Sequence, residues 1–308
     1  MKGFSEDGAA AHGLPPELLR LASADAWSAG AVLIAAHPDD ETIGAGGVLP
    51  RIPLRAIVHV TDGAPHDRRW WGDAAQPSRQ AYASLRRVEL ARALALAGIG
   101  TDRLRTLDRV DQRAAHDLPG LARDVAAMLD ALRPGVVLTH PYEGGHPDHD
   151  SAAFAVHAAR GLMVAPAPVL VEFTSYHAAD EGIAAGVFLP FGAADAGVDP
   201  GDRFIGSEDG PSLDDADGSV VEVLLSAEDR RRKREMMECF GTQAPTLRQF
   251  AVGALERFRV APAYDFTRPP HAGTLHYERF GWGITGERFR ANAAAALDAL
   301  AVRGVVRC

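Results

Sequence analysis

Six apolar residues in a row, Ala31-Val-Leu-Ile-Ala-Ala36, run without transition into His37-Pro-Asp-Asp-Glu41. A run this short, continuously apolar and partly β-branched reads as a strand buried on both faces, which points to a parallel sheet covered by helices on each side. The same junction recurs along the chain. Leu54–Val60 ends in Thr61-Asp62-Gly63, and Val136–Thr139 leads into His140-Pro141 and on to His146-Pro-Asp-His149. Helical spacing fills the gaps. Leu85, Val88 and Leu96 with small alanines run from Ser78 to Ala97 and stop at Gly98, while Leu121, Val125, Met128, Leu129 and Leu132 stop at Pro134. With a short strand near Leu104–Leu107, the alternation β-α-β-α-β predicts an α/β fold with a mainly parallel sheet, helices on both faces and right-handed crossovers.

Further on, Asp150–Gly161 reads as a helix, Val169–Ser175 as a strand, and 178–218, rich in Gly, Asp and Pro, as a loop-rich insertion over the sheet edge. Ser219–Leu225 alternates like a strand, and Ser226-Ala-Glu-Asp229 has the form of a capping box opening a helix through Phe240. Helices are also expected from Thr246 to about Phe258 and from Thr285 to Ala301. The whole, 1–308, is read as one domain, with 1–29 an N-terminal extension and 219–308 added strands and helices packed on the sheet.

Charge narrows the partners. Lys and Arg number 32 against 41 Asp and Glu, a formal net charge of −9, which disfavours nucleic acid or an anionic membrane as the main partner. Glu6 and Asp7 stand where a secretory leader would be positive and then apolar, and the most apolar stretch, Ser151–Phe173, is broken by Arg160, Pro166 and Pro168. A cytoplasmic protein is expected. The two cysteines, Cys239 and Cys308, lack the spacing of a thiolate metal site, so any metal must use other ligands.

In a parallel sheet the polar clusters that follow the strands all lie at one edge, where open α/β sheets bind ligands. Two imidazoles and a carboxylate are a common catalytic zinc set. His37 and Asp40, three residues apart, converge from one tight turn, and His149 supplies the third ligand. Asp39 is left unligated as the general base toward the water activated by the metal, and His146 approaches the substrate as a hydrogen-bond or proton donor. Acidic helix caps would explain Asp39, Asp40, Glu41, Asp148 and Asp150, though not the histidines that accompany them. Iron(II) uses the same ligand set, so the ion stays open between zinc, iron and another divalent cation. A non-catalytic carbohydrate- or nucleotide-binding module and a non-haem iron enzyme are the alternative functions.

Ala36-His-Pro-Asp-Asp-Glu41, Thr61-Asp-Gly63, Arg86-x-x-Glu89 and Glu143-Gly-Gly-His-Pro-Asp-His-Asp150 together resemble the PIG-L/LmbE-like zinc-dependent de-N-acetylases. Lys233 with Thr242-Gln243, and Glu278-x-Phe280, are similar to later elements of that family. The resemblance implies a Rossmann-like fold and hydrolysis of an N-acetyl group, usually from an N-acetylglucosamine unit, to acetate and a free amine. It implies zinc on His37, Asp40 and His149, with Asp39 as base and His146 assisting. Where mycothiol-pathway relatives carry a mobile tyrosine, two residues before the first histidine of His-Pro-Asp-His, this chain has Gly144, with Tyr142 two further back. A soluble N-acetylated small molecule is the expected substrate.

Weaker signals concern substrate contacts. Asp62 is read as orienting a ligand histidine or meeting a sugar hydroxyl, or else as a turn former before Gly63. Arg86 is given a substrate-side role on the family pattern, against a plain helix-face pair with Glu89. Trp70-Trp71 offers a platform for a sugar ring or acyl tail, or a plug for a core edge. His59 is expected as a satisfied core residue and His140 as a residue behind the metal. Gly44-Ala-Gly-Gly47 is read as close helix-to-sheet packing, and Arg230–Arg234 as a solvated helix face.

Overall fold

β1 (Ala31–Ala35) is flanked by β2 (Leu54–Thr61) on one side and β4 (Val136–Thr139) on the other, both parallel to it. The computed structural model describes residues 18, 24–72, 75–190 and 220–302. Beyond β2 lies β3 (Leu104–Arg109), and beyond β4 lies β5 (Val169–Phe173), again parallel. A short hairpin follows, β6 (Tyr176–Ala178) with β7 (Ile183–Ala185). Two late strands extend the sheet, β9 (Leu255–Val260) antiparallel to β5 and β8 (Val221–Leu224) antiparallel to β9, giving the order β3-β2-β1-β4-β5-β9-β8. Connections leave β1 toward β2 and reach β4 from the opposite edge, so the chain reverses its winding between β1 and β4. That switch point opens a crevice at the carboxyl ends of both strands.

Among the described residues the helices are α1 (Ala24–Ser28), α2 (Asp40–Ala45), α3 (Arg79–Leu96), α4 (Leu118–Leu132), α5 (Pro147–Arg160), α6 (Ala227–Glu238), α7 (Ala244–Leu247) and α8 (Gly286–Leu300). Side chains of β1 alternate between two cores, as the period of a strand requires. Leu33 and Ala35 pack with Leu90, Leu94, Phe173 and Met236, beneath α3 and α6. Val32 and Ile34 pack with Leu121, Val125, Leu129 and Val156, beneath α4 and α5. A third cluster joins α8 through Phe289 and Leu297 to Phe154 and Tyr142. Gly44 on α2 lies so close to β5 that a Cβ there would overlap the ring of Phe173, which is the close packing expected of that glycine-rich stretch.

Three expectations need correction. The helix from Thr246 to Phe258 is instead a four-residue turn of helix, α7, followed by β9. Leu255-Glu-Arg-Phe-Arg-Val260 consists of residues that tolerate either state, and its alternating burial between β5 and β8 decides for strand. Helix α5 starts at Pro147, not Asp150, because Pro147 fits the first helical position and His146 caps it, its Nδ1 accepting the Asp148 N–H at 3.1 Å. Arg230–Arg234 is not wholly a solvated face. Lys233 is buried, donating to the Ile43 carbonyl and to Glu256 at 2.7 Å each. Of the loop-rich insertion, 178–190 carries β7, while 191–218, like Ser219, His12, Cys308 and most of 1–29, lies outside the described residues. No helix among the described residues is long and apolar enough to cross a membrane.

Two predictions follow from this packing. Gly44→Ala forces Phe173 or α2 to shift and should lower stability by about 1–3 kcal/mol in urea denaturation; an unchanged midpoint would show that the two elements separate freely. His157 lies buried among Tyr264 and Phe266 with Nε2 unpartnered, and burial pushes its pKa down to about 3. Unfolded, it titrates near 6.5. Its neutral burial therefore stabilises above pH ~6.5, and that contribution is lost as pH falls toward 3, by several kcal/mol in total. His157→Leu should flatten this part of the acid denaturation profile.

Candidate metal centre and its surroundings

The carboxylate of Asp40 stands between imidazoles. Its Oδ2 is 3.2 Å from His37 Nδ1, its Oδ1 is 3.2 Å from His149 Nε2, and His140 Nε2 lies 3.3 Å from Oδ2. All four residues are buried. His37 and Asp40 meet because β1 ends in a tight turn whose His37 N–H donates to Asp40 Oδ2 at 2.7 Å. His149 arrives on the first turn of α5, after β4. The strand order alone brings the two segments together across the switch point.

Ring contacts fix the other nitrogens. His37 Nε2 faces Asp148 Oδ2 and Asp111 Oδ1, at 3.3 Å each, and His149 Nδ1 lies 3.0 Å from Ser175 Oγ. Asp148 in turn accepts the backbone N–H groups of Gln112 at 2.6 Å and Ala114 at 3.0 Å. A carboxylate behind a ligand histidine is the usual support of a metal site, since it sets tautomer and ring orientation. His140 accepts the Ala36 N–H at 3.0 Å through Nε2, the nitrogen that lies 3.3 Å from Asp40 Oδ2. His59, as expected, is a satisfied core residue paired with Glu41 at 3.0 Å.

Asp39 is held differently. Its φ is 147°, a strained value for a non-glycine residue that costs about 1–3 kcal/mol unless its surroundings enforce it. Glu41 accepts its N–H at 3.1 Å, and Arg86 Nη2 donates both to its Oδ2 at 2.9 Å and to the Pro38 carbonyl at 2.7 Å. Arg86 Nη1 reaches the Gly63 carbonyl at 2.8 Å. Burial pushes the Asp39 carboxyl up to about 8, with Arg86 opposing and Asp40 reinforcing. In Asp40, burial acts in the same sense but is outweighed by His149, His140 and His37, and the carboxyl lies well below its usual range. His146 is kept neutral by burial and by the neighbouring His37 and His149, which hold its pKa well below the ordinary value. In His37, burial is overcome by Asp111 and Asp40, and the pKa lies well above it.

Donor atoms of His37, His146 and His149 lie within 4.8 Å of one another, as do those of Asp40, His140 and His149. Buried imidazoles and carboxylates at this spacing suit a divalent cation. So does Asp111 Oδ1, which is buried and faces His37 Nε2 at 3.3 Å and His146 Nε2 at 4.0 Å. Beside the cluster is a cavity of about 120 Å³, lined by Asp39, Arg86, Asp111, His146, Trp70 and Trp282 among others. A larger hollow of about 360 Å³, between α3 and the β2–β3 edge, contains none of the candidate ligands.

Substrate-contact expectations divide. Arg86 and Trp70 line the cavity, whereas Trp71 is buried, stacked on Tyr82 at 5.0 Å, with Nε1 donating to the Pro65 carbonyl. Asp62 is turned away, its carboxylate taken by Arg79 and the Ala64 N–H. Tyr142 is buried in the third core with its hydroxyl donating to the Arg268 carbonyl at 2.8 Å, and the cavity tyrosine is Tyr176. Sequence reading missed Asp111, Asp148 as a support for His37, Ser175 and Trp282. For Asp111 a signal existed: it follows β3 as the histidines follow β1 and β4.

Comparison with known proteins adds relatives. The family described as "PIG-L: GlcNAc-PI de-N-acetylase" matches residues 32–160. The 1D-myo-inositol 2-acetamido-2-deoxy-alpha-D-glucopyranoside deacetylase of Rhodococcus jostii (strain RHA1) is 32% identical over 142 residues, which is 38% of this chain and 48% of that protein. The protein of the same description in Mycobacteroides abscessus is 31% identical over 195 residues, 54% of this chain and 68% of the relative. The matched segment thus spans about half the length of the first of these relatives. Among solved structures, the A40926 pseudoaglycone deacetylase Dbv21 shares the fold, with TM-score 0.52 and 21% identity over 75% of this chain and 96% of that one. The zinc inhibited form of teicoplanin deacetylase Orf2 gives 0.50 and 18%, over 74% and 97%.

Arg86→Met would leave a buried carboxylate without its partner and should cost about 3–5 kcal/mol in urea denaturation. Adding Asp39→Asn should restore part of that loss. Equal stabilities of wild type and the single variant would show that the guanidinium does not hold the turn.

Proposed function

Because this chain belongs to the PIG-L de-N-acetylase family, we propose that it is a metal-dependent hydrolase that removes an acetyl group from an N-acetylglucosamine-type amino sugar or its soluble conjugate. Zinc is the proposed ion and the cytoplasm the proposed compartment. The observation that carries the reading is the division of labour between adjacent carboxylates that both line the cavity: Asp40 contacts three imidazoles, whereas Asp39 contacts none and pairs with Arg86. His37, Asp40 and His149 would hold the ion, whose chemistry when bound is to polarise the amide carbonyl and to acidify water.

Everything else falls to the chain's own groups. Asp39 is the general base: burial raises the proton affinity of its carboxyl, while the Arg86 guanidinium opposes that shift and favours the charged form that accepts a proton. Arg86 fixes that carboxylate toward the cavity through the 2.9 Å contact. His146 accepts a backbone N–H at Nδ1, so its proton sits on Nε2, from which it donates to the amide oxygen as charge develops there. The attacking water forms the new C–O bond, Asp39 carries its proton to the nitrogen, the C–N bond breaks, and acetate and the amine leave.

Metal content and acetate release test this together. Asp39→Asn should keep one zinc per chain and lose about 10²–10⁴-fold in acetate release from N-acetylglucosamine conjugates. Asp40→Ala and His149→Ala should lose the metal. Full activity of Asp39→Asn would overturn the assignment of the base, and iron with oxygen-dependent turnover would overturn the hydrolase.

A further inference from the structure

The cavity beside Asp39, about 120 Å³, is well under the roughly 300 Å³ at which a pocket takes in a whole small molecule. An acetamide and the adjoining edge of a sugar ring fill it. Whatever else the sugar carries must lie against the rim, and one side of that rim is aromatic. Trp70 is edge-on to Trp282 at 5.7 Å and to Phe280 at 6.0 Å, and Phe280 stacks on Trp282 at 4.8 Å with 18° between planes. Trp282 also lies 4.5 Å from His146, so the wall starts at the reacting end of the cavity.

We propose that Trp70, Phe280 and Trp282 form a subsite for an aromatic group attached to the amino sugar, so that the substrate belongs to the aryl-glycoside class. This rests on the deacetylase reading and narrows its substrate. The neighbouring Trp71 shows what a tryptophan serving the core looks like here: buried, stacked on Tyr82, its N–H satisfied. Trp70 is part-exposed and lines the cavity instead. Trp282 lines the cavity too, packed between Phe280 and His146. A polyol in the same place would need several free donors and acceptors. Of the polar residues near the rim, Gln243 has its amide nitrogen committed to the Tyr82 hydroxyl at 2.8 Å.

Binding of deacetylated glycosides separates this inference from the reaction it rests on, since it needs no turnover. By calorimetry on the wild-type enzyme, phenyl glucosaminide should bind about tenfold tighter than methyl glucosaminide, in line with aromatic stacking. In Trp70→Ala and Trp282→Leu the ratio of the two affinities should fall toward one. Equal affinities in the wild type, or an aryl preference that survives both substitutions, would overturn the subsite. Acetate release from the N-acetylated counterparts reports on the hydrolase separately. Release with no aryl preference in binding sinks the subsite alone, and an aryl preference without release leaves the subsite and sinks the reaction.

Discussion

Arg86 carries a full charge into the interior, and the three acceptors it meets there belong to two separate segments: the Pro38 carbonyl and the Asp39 carboxylate in the turn after β1, and the Gly63 carbonyl after β2. Burying a guanidinium is costly unless it is paired, so the two loops are held in the positions that satisfy its Nη1 and Nη2 groups, while Nε has no hydrogen-bond partner among the described residues. Asp39 pays in backbone strain for its place in this arrangement. Its neighbour Asp40 is buried to the same degree but faces imidazoles. Two adjacent carboxyl groups thus share one desolvation and differ in partners, and their proton affinities are driven in opposite directions. On the proposed reading, that separation suits Asp40 to the ligand's part and Asp39 to the base's.

The histidines are fixed by a second tier of contacts reaching outward from the cluster. His37 is braced by Asp148, His149 by Ser175, and His146 by the first peptide of the helix it caps. Asp148 is the junction. It faces His37 while receiving two peptide N–H groups from the segment after β3, so the edge strand and α5 are coupled through one side chain. Rigid imidazoles suit a site whose ligands must converge within a few tenths of an ångström.

Much of the fold was readable because the strands of a parallel sheet are apolar on both faces and end abruptly. Ala31–Ala36 and Val136–Thr139 needed no context. Leu255–Val260 did, since the pattern that makes it β9 exists only once β5 and β8 flank it. At the site, residues that act through their own chemistry stood out by type and spacing: His37, Asp39, Asp40, His146 and His149. Those that act through geometry did not. Asp148 looked like a cap, Ser175 like a strand end, and Trp282 gave no signal, because each acquires its contacts from a partner distant in sequence. Asp62 shows the converse, a residue that suits the chemistry and is claimed by Arg79.

The order of the chain has a further consequence, for its synthesis. Every candidate ligand lies before residue 150, and the parallel strands that gather them are complete by Phe173. The aromatic wall waits for Phe280 and Trp282, over a hundred residues later. On the ribosome the candidate ligand cluster therefore emerges while its mouth is still unbuilt, and the C-terminal segment is the last part of the site to arrive.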